Sequence, residues 1–313
     1  MFVDCPCGAR NSAFNPVCVA CKAPIVEETR GGAARGAPPL ASFVEGATIG
    51  RFTLERLLGA GNLGRVFVAD AGGERVALKV LHPHLLSSDD ARRRFVREAR
   101  ALREVRHPHV GAFIDAFEHD GVPVLILELV QGHSLRQHLD RAGALPPAMA
   151  RAVLAQMTDA LHALHRAGWV HRDVKPENVM IVSDDPASLQ VRLLDFGLVR
   201  ALTPSSSADP RTAAGVFVGS LAYSSPEQLL TADVGPATDW WALGVVAYEI
   251  LTGARPFHGE SRRTLAAQVL STPAPPMRGV SPALERAVRA LLAPDAKDRP
   301  RYEDIRQAWV ATS

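Results

Sequence analysis

The feature that most narrows the fold is a glycine string with no helix-forming sequence behind it. Residues 59–66 read Gly59-Ala60-Gly61-Asn62-Leu63-Gly64-Arg65-Val66, a pattern that several architectures share. A dinucleotide-binding sheet needs a helix directly after the third glycine, its N-terminus turned toward the pyrophosphate. The chain instead continues with Arg65-Val66-Phe67-Val68-Ala69, a Gly72-Gly73 turn, and Val76-Ala77-Leu78-Lys79-Val80-Leu81. β-Branched and apolar runs on both sides predict antiparallel strands, which puts the glycines at a hairpin tip. There the missing side chains let backbone N–H groups approach phosphate oxygens. A glycine hairpin without ligand is the plainer alternative.

Lys79 weighs against that alternative. Lysine occurs only at Lys22, Lys79, Lys175 and Lys297, and arginine supplies the rest of the 35 basic residues. A charge inside an apolar strand is costly unless it is paired. A compact ammonium fits between a carboxylate and phosphate oxygens where a planar guanidinium does not easily replace it. The carboxylate on offer is Glu98, on a helix predicted over about 89–105.

The 313 residues amount to about two domain-sized units, and 47% hydrophobic with 22% charged residues is an ordinary globular composition. With 35 basic against 33 acidic residues, the net +2 gives no electrostatic reason for a nucleic-acid partner. No apolar run approaches the ~18 residues of a membrane span, because Glu128 and Glu249 interrupt the longest ones. The start lacks a basic segment followed by an apolar one. A cytoplasmic protein without membrane or nucleic-acid contacts is the expectation.

All four cysteines, Cys5, Cys7, Cys18 and Cys21, fall in the first 21 residues. In a reducing compartment two close pairs read as thiolate ligands of one tetrahedral zinc, with a redox pair or a disordered tail as alternatives. Cys18-Val-Ala-Cys21 has the usual knuckle spacing, whereas Cys5-Pro-Cys7 is one residue short. The segment resembles the zinc ribbons at the ends of many multidomain proteins. That resemblance implies a structural Zn²⁺ and a docking or regulatory role for residues 1–29. Residues 30–49, which open RGGAARGAPP, read as a flexible linker.

The most specific signal is Trp169-Val170-His171-Arg172-Asp173-Val174-Lys175-Pro176-Glu177-Asn178, followed by Leu194-Asp195-Phe196-Gly197 and by Tyr223-Ser224-Ser225-Pro226-Glu227. With the glycine string and Lys79, these motifs resemble the protein kinase family in correct order across residues 50–311, in the style of bacterial Ser/Thr kinases that are similar to eukaryotic ones. His107-Pro108-His109-Val110, Asp239-Trp240-Trp241-Ala242-Leu243-Gly244 and Asp298-Arg299-Pro300 add to the likeness.

The resemblance implies an α+β fold: a bilobal protein kinase with a small β-rich lobe and a large helical lobe, preceded by the zinc-ribbon-like module. It implies ATP and Mg²⁺ (or Mn²⁺), with Asn178 and Asp195 as metal ligands. Lys79, fixed by Glu98, would hold the α- and β-phosphates beneath Gly59, Gly61 and Gly64. Asp173 would take the proton of the substrate hydroxyl and Lys175 would neutralise the moving γ-phosphate. Val66, Ala77 and Met180 would enclose adenine, Leu127 would guard the back of the slot, and backbone groups of Glu128 and Val130 would bond the purine edge. Protein substrates with Ser or Thr acceptors are implied by Lys175 two residues after Asp173. The resemblance also implies that Arg172 would receive a phosphate on the loop between Asp195 and Glu227, with Thr212 the best of its hydroxyls.

Three departures accompany these matches. Ser220 stands where a threonine is usual, Ser225 where an alanine is customary, and the connection from Ser183 to Ser188 lengthens a hairpin. Glu177 is a candidate for favouring a basic residue beside the acceptor, with a solvent-exposed acid as the equal alternative. His162 and His165, without a cysteine or third ligand nearby, read as core or surface histidines. A catalytically silent kinase-like scaffold is the alternative function; the presence of Lys79, Asp173, Asn178 and Asp195 discriminates against it.

Overall fold

The computed structural model describes residues 2–4, 9–12, 20, 43–61, 63–183, 185, 188–194, 200–201, 221–230 and 234–310. Two compact units divide the chain: residues 1–103 with 112–129, and residues 104–111 with 130–313.

The first unit is a mostly antiparallel sheet with one helix. Its strands are β1 (Phe2–Asp4), β2 (Ala9–Ser12), β3 (Thr48–Ile49), β4 (Phe52–Ala60), β5 (Gly64–Asp70), β6 (Arg75–Leu81), β7 (Phe113–His119) and β8 (Val122–Glu128), and α1 spans Asp89–Glu104. The spatial order is β1-β2-β7-β8-β6-β5-β4-β3. The predicted hairpin is present: β5 pairs β6 antiparallel with Val66 opposite Lys79. Asp70 closes its turn by accepting from the N–H groups of Gly72 and Gly73, both of which have positive φ.

Period-two alternation on these strands buries Phe52 and Leu54, then Leu78 and Val80, in one core with Phe67, Phe117 and Val124. Phe52 stacks on Phe117 with ring centroids 5.7 Å apart. Ala20 belongs to the same core. Gly50, at φ +60, passes so close that a Cβ there would lie 2.5 Å from the Ala20 Cβ. Residues 2–4 and 9–12 are also tied in: β1 and β2 form an antiparallel pair, and β2 joins β7 with Arg10 opposite Glu118. These two strands stand at one edge of the sheet of the first unit.

On α1, Asp89 and Asp90 occupy the first turn, where the helix dipole favours acids. Ala91, Phe95, Glu98 and Leu102 fall at helical spacing on the buried side. Glu98 is the one acid among them.

The second unit is mainly helical. It contains β9 (His133–Ser134), α2 (Leu135–Ala142), α3 (Pro147–Arg166), β10 (Trp169–Val170), β11 (Val179–Ser183), β12 (Gln190–Leu193), β13 (Arg200–Ala201), α4 (Pro226–Leu229), α5 (Pro236–Thr252), α6 (Arg262–Ser271), α7 (Pro282–Leu291) and α8 (Tyr302–Val310). Helix α5 is buried around almost its whole circumference from Thr238 to Ile250, the pattern of a helix at the centre of a domain. The expected hairpin extension is β11 paired with β12, with Ser183 and Ser188 hydroxyls 2.9 Å apart across its connection.

Two motifs 72 residues apart in sequence meet in this unit. Arg299 grips both oxygens of Glu227 at 2.7 and 2.8 Å and lies over the Trp241 ring at 5.1 Å. Burial would push the Glu227 carboxyl up, but the bonds from Arg299 and Thr238 hold it below the usual carboxylate range. Ser225 caps α4 by accepting from Gln228 N–H at 3.4 Å and lies 3.2 Å from the Thr238 hydroxyl. The departure from alanine therefore supplies a helix cap. No described helix is long and apolar enough to cross a membrane.

Candidate active site

In the first unit the site is built around β6. Ala77 and Lys79, two apart on one strand, share a face. Lys79 Nζ donates to Glu98 Oε1 at 2.7 Å, and the two side chains are 7% and 1% exposed. The anion that the strand lysine required is thus supplied by the helix that the sequence named. Beside them, Ala77 pairs with Val68 on β5 and with Leu127 on β8. Val66 and Leu127 are half-buried. The N–H of Glu128 donates to Ala112 O at 2.9 Å.

The three loop glycines have different reasons for being glycine. A Cβ on Gly59 or Gly61 would meet nothing within 4 Å, whereas one on Gly64 would collide with Val80 O of its own sheet. The first two leave open space of the kind a phosphate chain needs; the third is a packing requirement.

In the second unit, residues 169–178 run from β10 through a loop into a short 3₁₀ turn, Pro176–Asn178. Asp173 is the point of convergence. Lys175 Nζ donates to Asp173 Oδ2 at 2.6 Å, and Asn178 Nδ2 donates to Asp173 O at 2.8 Å and to Asp173 Oδ2 at 3.2 Å. Because the amide nitrogen of Asn178 is used in this way, its Oδ1 is the acceptor left, an atom type that hard cations take. The donor set of Asn178 therefore fits a magnesium site.

The backbone of this loop is held from below by Asp239, which is fully buried. Its carboxylate accepts from His171 N–H at 2.8 Å, Arg172 N–H at 2.7 Å and His165 Nε2 at 2.8 Å. Burial alone would raise the Asp239 carboxyl, but the hydrogen bond and charge of His165, with the remaining donors, bring it below the usual range. Arg172 is held at φ +69, a left-handed conformation unusual for a side-chain-bearing residue. The His171 ring takes one tautomer: Nε2 donates to Leu194 O at 3.2 Å, and Nδ1 accepts from Asp173 N–H at 3.3 Å.

Val130 and Met180 lie in the second unit, Met180 on β11 opposite Ser134 and Arg192. Asp195, Thr212, Ser220 and the four cysteines Cys5, Cys7, Cys18 and Cys21 lie outside the described residues. Among the described residues no cluster of three or more His, Cys, Asp or Glu is arranged as a metal site.

Sequence reasoning missed a cluster that includes Glu177 of the 169–178 loop. Arg136 donates to Glu177 at 2.9 Å, to Glu249 at 3.0 Å and to the Tyr223 hydroxyl at 2.6 Å. Tyr223 in turn donates to Glu249 at 2.6 Å. Glu177, expected to await a basic residue, already has a cation from its own chain. These partners lie 41 to 113 positions from Arg136, too far for any local spacing rule to link them. His165 is the buried partner of Asp239, and His162 stacks on Tyr302 with centroids 3.7 Å apart. Both histidines are packing residues, in agreement with the sequence.

A family model described as "Protein kinase domain" matches residues 52–310. The chain belongs to the protein kinase family. Among its relatives, a serine/threonine-protein kinase of Myxococcus xanthus, pkn2, is 38% identical over 260 residues, covering 80% of this chain and 31% of that protein. The Mycobacterium tuberculosis serine/threonine-protein kinases PknL and PknA are 40% and 38% identical over 228 and 250 residues, covering 72% and 78% of this chain. This chain corresponds to only 55% and 56% of their lengths. The matches cover the kinase domain of this chain and leave large parts of the relatives unmatched.

In this kinase domain Lys79→Met is expected to abolish phosphotransfer and also to destabilise the first unit by about 3–5 kcal/mol, since the 2.7 Å ion pair would be removed from a buried Glu98. Adding Glu98→Leu should restore most of the stability and none of the activity. Denaturant unfolding run beside initial-rate assays separates the two effects. A Lys79→Met variant as stable as the parent would show that the pair does not hold Glu98 in the core.

Proposed function

We propose that the protein is an ATP-dependent serine/threonine kinase that transfers the γ-phosphate of ATP to hydroxyls of protein substrates and to its own activation loop. The observation that carries this reading is the convergence on Asp173: an acceptor carboxylate fixed by Lys175 and Asn178, on a loop whose backbone is bonded to Asp239.

Phosphoryl transfer asks little covalent work of a protein, so positioning and charge neutralisation carry the rate. Lys79 and the open glycine loop hold the phosphates of ATP. The substrate hydroxyl oxygen bonds to the γ-phosphorus as the bond to the β,γ-bridging oxygen breaks and ADP departs. Asp173 orients that hydroxyl and accepts its proton. Lys175, two residues on, offsets the charge on the transferring group. Asn178 and Asp195 would hold Mg²⁺, which supplies charge neutralisation on the phosphates when bound. Val66, Ala77, Leu127, Glu128, Val130 and Met180 serve adenine, and Arg172 receives a phosphate from the loop that contains Thr212 and Ser220. Glu177 is already bonded to Arg136 and so is not reserved for a basic substrate residue.

Incubating the full chain with radiolabelled ATP and Mg²⁺ tests the activity. Label on serine or threonine, lowered by about three orders of magnitude in Asp173→Asn, is the expected result. Label transfer in Asp173→Asn within a few-fold of the parent would overturn the assignment of Asp173.

We further propose that residues 1–29 form a zinc ribbon that uses Cys5, Cys7, Cys18 and Cys21, joined by the 30–49 segment to a kinase domain over 50–311. The reading is supported by the antiparallel pairing of β1 with β2 on either side of Cys5 and Cys7 and by the Cys18-x-x-Cys21 spacing. A docking partner is its expected role. Elemental analysis of freshly purified protein should find one zinc per chain, lost in the Cys18→Ser, Cys21→Ser double variant. Zinc-free parent protein would contradict the reading.

A further inference from the structure

Beyond the β5–β6 ladder, His82 also fastens the glycine loop to the strand that carries Lys79. His82 comes directly after β6, three positions beyond Lys79. Its backbone N–H donates to Leu63 O at 2.9 Å. Its ring Nε2 lies 2.8 Å from Gly61 O. A carbonyl can only accept, so Nε2 carries the hydrogen and donates it. The tip closes on itself as Gly61 N–H donates to Gly64 O at 2.9 Å, while Gly64 packs against Val80 O. The His82 ring is braced by His84, stacked at 5.1 Å between centroids with planes 24° apart.

The consequence is geometric. Gly59 and Gly61 have open space above them and gain no order from side-chain packing. A glycine tip is the most freely moving backbone in a hairpin, and ordering it on nucleotide binding would cost conformational entropy. A bond to the Gly61 carbonyl fixes the peptide plane that begins there. Because His82 adjoins the strand that bears Lys79, that bond also sets the tip relative to the ammonium that meets the phosphates.

We propose that His82 is a positioning residue for ATP, pre-ordering the glycine loop through the Gly61 carbonyl. This rests on the assignment of that loop to the ATP phosphates. The group touches no reacting atom, so its loss acts on nucleotide affinity more than on the chemical step.

Steady-state kinetics on the full chain with ATP varied tests the proposal in four proteins: parent, His82→Ala, His82→Gln, and a Gly59→Ser, Gly61→Ser double variant. His82→Ala should raise KM for ATP by about tenfold, the worth of one well-placed hydrogen bond, with kcat changed by less than about threefold. His82→Gln keeps an N–H donor at similar reach and should return KM to within about threefold of the parent. Melting temperatures of both His82 variants should match the parent. A His82→Ala KM within twofold of the parent, beside a raised KM in the glycine double variant, would overturn the latch while leaving the loop assignment standing. An unchanged KM in the glycine double variant would overturn both. A raised KM in His82→Ala that glutamine does not rescue and that tracks a lowered melting temperature would reassign His82 to structure alone.

Discussion

The catalytic loop depends on one buried carboxylate. Asp239 is 0% exposed, and an isolated charge in that position would be untenable. Three donors answer it: the backbone N–H groups of His171 and Arg172 and the His165 ring. Hydrogen bonds to a charged acceptor are each worth about 1.5–3 kcal/mol, enough to hold Arg172 in a left-handed conformation that costs about 1–3 kcal/mol. With the chain turned there, the next residue, Asp173, presents its carboxylate to Lys175 and Asn178. The strain sits one residue from Asp173, and the interaction that sustains it lies near the start of a helix buried around almost its whole circumference.

The same rule governs the other buried charges. Lys79 is answered by Glu98 in the first unit, Glu227 by Arg299, and Glu249 by Arg136 and Tyr223 in the second. Breaking such a pair removes the bonded counter-charge of a buried ion, which costs more than the intact pair contributes. These sites therefore tie stability to mechanism: the pairs that position catalytic groups are also places where one substitution damages the fold.

Much of this was legible in the residues. The absence of a helix after Gly64 established the antiparallel hairpin, and the apolar strand around Lys79 required an anion, which Glu98 provides. Motif order placed Asp173, Lys175 and Asn178 together because they lie within six residues on one loop. Pairing over long separations was not disclosed by the chain. Arg299 with Glu227, and Arg136 with Glu177 and Glu249, arise from tertiary packing, and no periodicity links residues 41 to 113 apart. The His82 latch was hidden for a related reason: its ring reaches back 21 residues to a carbonyl, and carbonyls leave no trace in side-chain patterns. One clue to Asp239 was present, an acid at the head of a helix whose other acid is Glu249 ten positions on, which by itself demands buried donors.

The central claim, that Asp239 imposes the geometry at Asp173, is tested most directly by Asp239→Asn. An amide has one oxygen and no charge, so it cannot serve three donors as the carboxylate does. A misplacement of about 1 Å at the reacting groups costs about a hundredfold in rate. Measured on folded full-chain protein, kcat is predicted to fall by about that factor while the Kd for ATP stays within about threefold of the parent. A kcat within about threefold of the parent would contradict the account.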